Sequence, residues 1–174
     1  YRIGSEGMEL KNEVTNNSGL ETIARVGQSF RLPAAFDALT WYGKGPWETY
    51  ADRKDAALIG LYTSSVAEQH VPFAVPCECG GHEDTRFAAL SDGTHIVQIV
   101  GSDDFHFSAL PYSIAEYRKA TYEEELPEQT TGTWLILDVA HAGLGGDTGW
   151  TKNIHPEYRV CKGRYSYTFR FHFA

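Results

Sequence analysis

The sequence predicts an all-β protein, an antiparallel β-sandwich with one short helix near residues 112–122, and three observations carry that prediction. Aromatic residues make up 13% of the 174 residues, with 10 Tyr and 9 Phe, and such side chains favour the pleated surface of a sheet. Glycine occurs 17 times and cuts the chain into stretches of strand length. At the C-terminal end, Tyr165, Tyr167, Phe169, Phe171 and Phe173 fall on one parity, and Arg164, Ser166, Thr168, Arg170 and His172 on the other. Successive side chains of a strand point to opposite faces, so this segment reads as a strand with one buried aromatic face and His172 on the outer one.

The remaining elements follow in order. Met8, Leu10 and Val14 alternate with Glu9, Lys11 and Glu13, a second half-buried strand. Thr22–Leu32 is mixed, as expected of a strand buried on both faces. Phe36–Tyr42 reads as a strand ending in a Gly43-Lys44-Gly45-Pro46 turn. Arg86–Leu90 and Thr94–Val100 flank Ser91-Asp92-Gly93, a hairpin signal because glycine accepts the positive φ of the turn. Ser113 and Glu116 have capping-box spacing just after Pro111, and Ile114–Tyr122 contains no Gly or Pro, so a helix is expected there, ended by Glu123-Glu124-Glu125 and Pro127. Trp134–Val139 is another apolar run of strand length. No repeat, low-complexity tract or linker divides the chain, so residues 1–174 are expected to form one β-sandwich domain.

Composition excludes several partners. Hydrophobic residues at 42% and charged residues at 22% suit a globular domain. Fifteen Lys and Arg against 23 Asp and Glu leave a net charge of −8, the wrong sign for a nucleic-acid backbone or an anionic membrane face. No apolar run is long enough to cross a bilayer as a helix, and no charged-then-apolar start reads as a signal peptide. The sequence opens on Tyr1, so a piece of a larger chain is expected, and the compartment, cytoplasmic or periplasmic, stays open. Three cysteines, Cys77, Cys79 and Cys161, make no disulfide framework.

Among candidate functional residues, Trp41, Trp47 and Trp134 read as core or near-core, Trp41 and Trp134 most firmly because they lie within apolar strand runs. Trp150 differs. It follows the glycine-rich stretch Gly143-Leu144-Gly145-Gly146-Asp147-Thr148-Gly149, and binding residues concentrate on loops. An indole face suits the C–H face of a sugar, but a loop anchor fits these residues equally well. The loop has neither the spacing nor the Lys of a phosphate cradle, so a nucleotide site is rejected. Cys77-x-Cys79 with His82 resembles half a zinc site, but four ligands are needed and free thiols are the better reading. The other histidines (His70, His95, His106, His141 and His155) are scattered, and no hydrolase triad or elbow motif occurs.

Several segments together resemble one family. The stretch from Trp41 to Arg53 is similar to the W-x-G-x-G-P-x-E-N-Y-x-D-R signature of the C-terminal, small-chain-like fifth domain of bacterial family-two β-galactosidases. Val71-Pro72-Phe73, Pro76-Cys77-Glu78-Cys79-Gly80 and Asp84-Thr85-Arg86-Phe87 resemble the Y-V-x-P-x-E-N-G and D-x-R-W stretch. Phe107-Ser108-Ala109 and Tyr112, Leu137-Asp138, the glycine loop with Trp150, and His155-Pro156-Glu157-Tyr158 follow in order. Thr49 and Cys79 stand where the family usually has Asn, and Phe73 and Phe87 where it has Tyr and Trp.

The resemblance implies a segment of a galactose-mutarotase-like supersandwich, expected to be part of a longer C-terminal domain of a multidomain enzyme. It implies that a TIM-barrel domain of the same chain supplies both catalytic glutamates of a retaining hydrolysis of β-D-galactosides, together with Mg and Na ions. This piece would then hold no catalytic residue, metal or cofactor, and would hydrolyse nothing alone. Its one contribution would be Trp150, stacking the sugar or aglycone at the active-site mouth. The parent is expected to be a homo-oligomer. The alternative is an autonomous carbohydrate-binding module or a mutarotase-like enzyme, which would need an acid and a base, such as His with Glu, in one cleft.

Overall fold

A computed structural model describes residues 1–128, 130–145 and 153–174. Its elements are β1 (Arg2–Gly4), β2 (Gly7–Asn16), β3 (Arg25–Leu32), β4 (Ala38–Gly45), β5 (Leu58–Ser65), β6 (Gly81–Ser91), β7 (Ile96–Leu110), α1 (Ile114–Lys119), β8 (Thr133–His141) and β9 (Gly163–Phe173). Every strand pairing is antiparallel, and the main path runs β1-β2-β9-β7-β6-β4-β5. The long β7 turns this sheet into a sandwich. Its first half, Val97–Gly101, pairs with β9, while His106–Leu110 pairs with β8 on the same edge. β8 carries β3, and this second branch lies across the first. Phe30 of β3 meets Phe171 of β9 edge-on at 5.1 Å, and the Gln28 amide donates to Asn12 Oδ1 at 2.9 Å.

The core fills the space between the branches. Tyr167, Phe169 and Phe171 are buried and Arg164, Ser166, Arg170 and His172 are exposed, as the alternation predicts, whereas Phe173, expected on the buried face, ends the strand exposed. Each buried ring contributes roughly 2–3 kcal/mol through apolar area removed from water. They join Leu10, Trp41, Ile99, Phe107, Leu135 and Leu137 in one cluster. A smaller cluster of Cys79, Leu110, Tyr117 and Leu126 seats the helix.

Local chemistry explains where prediction and structure part. Strand β4 runs on through Gly43-Lys44-Gly45 instead of turning there. A Cβ at Gly45 would stand 2.8 Å from the Tyr62 ring and 3.0 Å from the Trp41 ring, so the glycine serves close packing. The helix begins as predicted: Ser113 and Glu116 form the reciprocal capping box. It stops at Lys119, short of 122, and the Thr121 N–H goes to the Glu125 carboxylate at 2.7 Å, where a continuing helix would use a carbonyl. β3 starts at Arg25 and buries Val26 on one face, so the expected burial on both faces is not found. β5 escaped the sequence reading because it is an edge strand whose Leu58 and Leu61 are exposed. Trp41 is fully buried. Trp134 is only half-buried, beneath the Arg31 guanidinium at 5.8 Å, and Trp47, at 73% exposed, lies outside the core altogether.

Candidate functional site at the stem of the glycine loop

The segment 48–53 is fastened to the start of β6. Thr49 N–H donates to the Gly81 carbonyl at 2.7 Å, and the Thr49 hydroxyl accepts from Glu83 N–H at 2.8 Å. Glu48 accepts from Gly80 N–H at 2.8 Å and pairs with Arg53. Tyr50 and Arg53 close a tight turn through two backbone hydrogen bonds, 3.2 and 2.8 Å. Tyr50 is the anchor of that turn. Its ring is wholly buried against His106 and His141, 5.4 Å from each, and its oxygen accepts from Gly81 N–H. Burial pushes its hydroxyl far above the ordinary tyrosine range, so it stays protonated.

The turn presents Asp52 to the end of β8. Its carboxylate accepts the Leu144 N–H at 3.0 Å and the Gly145 N–H at 2.6 Å. On the other side, Gly143 N–H donates to the Tyr158 carbonyl at 2.9 Å, and Ala142 N–H to the Ala24 carbonyl at 2.8 Å. The two glycines of this stem have separate reasons. A Cβ at Gly143 would lie 2.6 Å from the Asp52 carboxyl carbon and 3.0 Å from Tyr158 Cβ, while Gly145 sits at φ +77°. Beside the stem, a cleft of about 330 Å³ is lined by the exposed Trp47, Asp52, Lys54, Asp55 and Tyr158. Trp150, the residue singled out by sequence, lies outside the described residues. Asp52 and Tyr50 lie within the Trp41–Arg53 motif, where residue type alone gives them no role, and only the fold reveals one.

A second group of charges lies below Tyr50. Arg25 of β3 donates to Glu78 at 2.7 Å, contacts His141 Nε2 at 2.6 Å, and stands 3.5 Å from Asp138, which is fully buried. Burial raises the Asp138 pKa despite the attraction of Arg25 and the two imidazoles. Burial also works to raise Glu78, but the His141 hydrogen bond and the Arg25 charge outweigh it, and the net shift is downward. Ligand atoms of Glu78, His106 and His141 lie within 4.8 Å of one another, near enough for a metal ion. The Arg25 guanidinium already spans Glu78 and His141, so the arrangement is that of an ion-pair network with its cation in place. His106 pairs with Glu83 at 2.8 Å, and the two line, with His141, a cleft of about 210 Å³.

Cys77, Cys79 and His82 do not converge. Cys77 is exposed, and buried Cys79 contacts the Tyr117 hydroxyl at 3.7 Å. His82 is buried against Gln69 Oε1 at 2.6 Å. All three cysteines are free.

Comparison with known proteins supplies a family. The family model described as "Beta galactosidase small chain" matches residues 1–171. A β-galactosidase of Vibrio cholerae is 38% identical over 168 residues, covering 96% of this chain and 16% of its own length. "Beta-galactosidase 2" of Enterobacter cloacae is 40% identical over 170 residues, covering 97% of this chain and 16% of its own. A β-galactosidase of Priestia megaterium is 35% identical over 170 residues, again with 16% of its length covered.

Proposed function

The chain belongs to the β-galactosidase small-chain family, and we propose that it is the non-catalytic C-terminal accessory part of a β-galactosidase, lending an aromatic platform for sugar or aglycone at the active-site mouth. The support is twofold: relatives named β-galactosidase are about six times longer than the part matched, and the built stem described above leads directly into the segment that carries Trp150. In this reading a TIM-barrel domain elsewhere in the parent supplies two carboxylates. One protonates the leaving oxygen and the other forms the glycosyl intermediate, with retention of configuration. Any Mg or Na ions belong to those other domains. Trp150 adds no proton and no nucleophile. Its flat π-face packs on the sugar's C–H face and orients the bond to be cut.

Two measurements test this. The isolated chain is expected to release no chromophore from a nitrophenyl β-galactoside, and hydrolysis by it would overturn the accessory role. In the parent enzyme, Trp150→Ala is expected to lower kcat/KM by about 1–3 kcal/mol, roughly five- to 150-fold. Unchanged kinetics in that variant would remove Trp150 from the site.

A further inference from the structure

We propose that Glu78, His106 and His141 form a zinc site beneath the Tyr50 turn, at which the ion and the Arg25 guanidinium exchange places. This departs from the expectation that this part of the enzyme holds no metal, and it does not depend on the role given to Trp150.

Hydrogen bonds fix which imidazole nitrogens can bind an ion. His141 Nδ1 lies 2.7 Å from the Ala142 carbonyl, a contact only an N–H can make, so its Nε2 carries a lone pair. His106 Nδ1 lies 2.8 Å from the Glu83 carboxylate, an acceptor that likewise holds the proton on Nδ1. His106 Nε2 is left buried, without a hydrogen-bond partner among the described residues. Imidazoles that bind zinc have their other nitrogen held in this way, by a carboxylate or a carbonyl, which sets the tautomer and the ring. Two such nitrogens and the Glu78 carboxylate are a donor set that zinc accepts, with a fourth position for water. The three ligand atoms lie within 4.8 Å of one another, and His141 Nε2 is 3.7 Å from Glu78 Oε1. Ligands on a tetrahedral zinc stand about 3.4 Å apart, so the group has to close by no more than about 1.4 Å. The two imidazoles, stacked at 4.5 Å, tilt toward the ion to do so.

Arg25 is the ion's rival. Its Nη2 spans His141 and Glu78 at 2.6 and 2.7 Å, which satisfies those two groups and leaves four other atoms unmet. Arg25 Nη1, His106 Nε2 and both oxygens of the fully buried Asp138 have no hydrogen-bond partner among the described residues. Buried polar atoms are rarely left so, and an ion is one of the few explanations for a cluster of them. One exchange answers all four. Asp138 already stands 3.5 Å from Arg25 Nε, and a turn of the guanidinium brings its planar fork onto both carboxylate oxygens. Zinc then takes the lone pairs of His106, His141 and Glu78. The ion has an approach from two sides: His106 and His141 line the cleft of about 210 Å³, and Glu78 and Arg25 line another of about 490 Å³. Once bound, it ties the segment before β6 to β7 and β8.

The test uses the intact parent enzyme, stripped with a chelator and then dialysed against a slight excess of zinc. Wild type is expected to retain one more zinc ion per chain than either His106→Gln or Glu78→Gln. Its thermal midpoint is expected to rise more with zinc than theirs, because the ion binds only the folded site. Equal zinc content in wild type and both variants overturns the site. A variant that misfolds would lose zinc for that reason alone, so zinc-edge anomalous diffraction from wild-type crystals is the second measurement. A peak is expected about 2.1 Å from His106 Nε2 and from His141 Nε2, with Arg25 turned onto Asp138. No peak there, with Arg25 still spanning His141 and Glu78, overturns the proposal whatever the variants do.

Discussion

Replacing Arg25 by Met keeps the apolar stem of the side chain and removes the guanidinium that reaches buried Asp138 and the half-buried Glu78 and His141. Arg25 pairs with Glu78 at 2.7 Å and stands 3.5 Å from Asp138, whose side chain is fully buried. Breaking a buried pair by deleting one partner leaves an uncompensated charge, which costs about 3–5 kcal/mol. For a chain of 174 residues that corresponds to a fall of roughly 10 °C in thermal midpoint. The pH dependence makes the test sharper. Asp138 has a folded-state pKa above its ordinary value, so its anion opposes folding at neutral pH and ceases to do so as the pH falls through that raised value. Glu78 has the opposite sign: its lowered pKa contributes stability above the ordinary carboxylate range, and that contribution is lost on acidification. Arg25 favours both anions, so the variant's loss is greatest at neutral pH and shrinks in acid. Urea unfolding of wild type and Arg25→Met at neutral pH and in mild acid measures this directly. Equal midpoints at neutral pH, or a loss that does not shrink on acidification, would refute the ion-pair account.

Two further outcomes follow from buried groups. Burial holds His82 down to about 3, below the 6.5 of an ordinary imidazole, so the neutral ring's contribution is complete above 6.5 and lost as the pH falls toward 3. The cost at the acid end is on the order of 4 kcal/mol. Urea midpoints are therefore expected to converge on acidification between wild type and a His82→Gln variant, and parallel midpoint curves would contradict it. Cys77 and Cys161 are exposed, whereas Cys79 is fully buried and its thiol is pushed up to about 11 by burial. A thiol reagent is expected to titrate two cysteines rapidly in the native chain and the third only on unfolding; three fast thiols would show Cys79 misplaced.

The aromatic alternation of β9 was legible because a strand's two faces are written in adjacent residues, and the capping box because Ser113 and Glu116 are three residues apart. Other features depend on neighbours that no local window contains. The helix end was misread because Glu125 captures an N–H that α1 would otherwise use. The glycines of β4 read as a turn because their purpose lies in neighbours: Gly45 makes room for the Tyr62 and Trp41 rings, and Gly43 for Thr85 of β6. Edge strand β5 buries too little to show a period. The family was legible from motifs in series, each modest alone, and the match over residues 1–171 bears that out.

The site divides along the same line. A glycine-rich stretch ending in Trp draws notice because residue type alone suggests its chemistry, stacking on a sugar or anchoring a loop. The clamp on the stem that precedes it is a different matter. Asp52 and Leu144 are 92 residues apart, and neither residue type indicates the other. Arg25 and Glu78, 53 residues apart, underlie the same turn through His141 and Tyr50. A residue of distinctive chemistry can thus be picked out by eye, while the groups that hold the stem before it, far apart along the chain, are silent in the sequence.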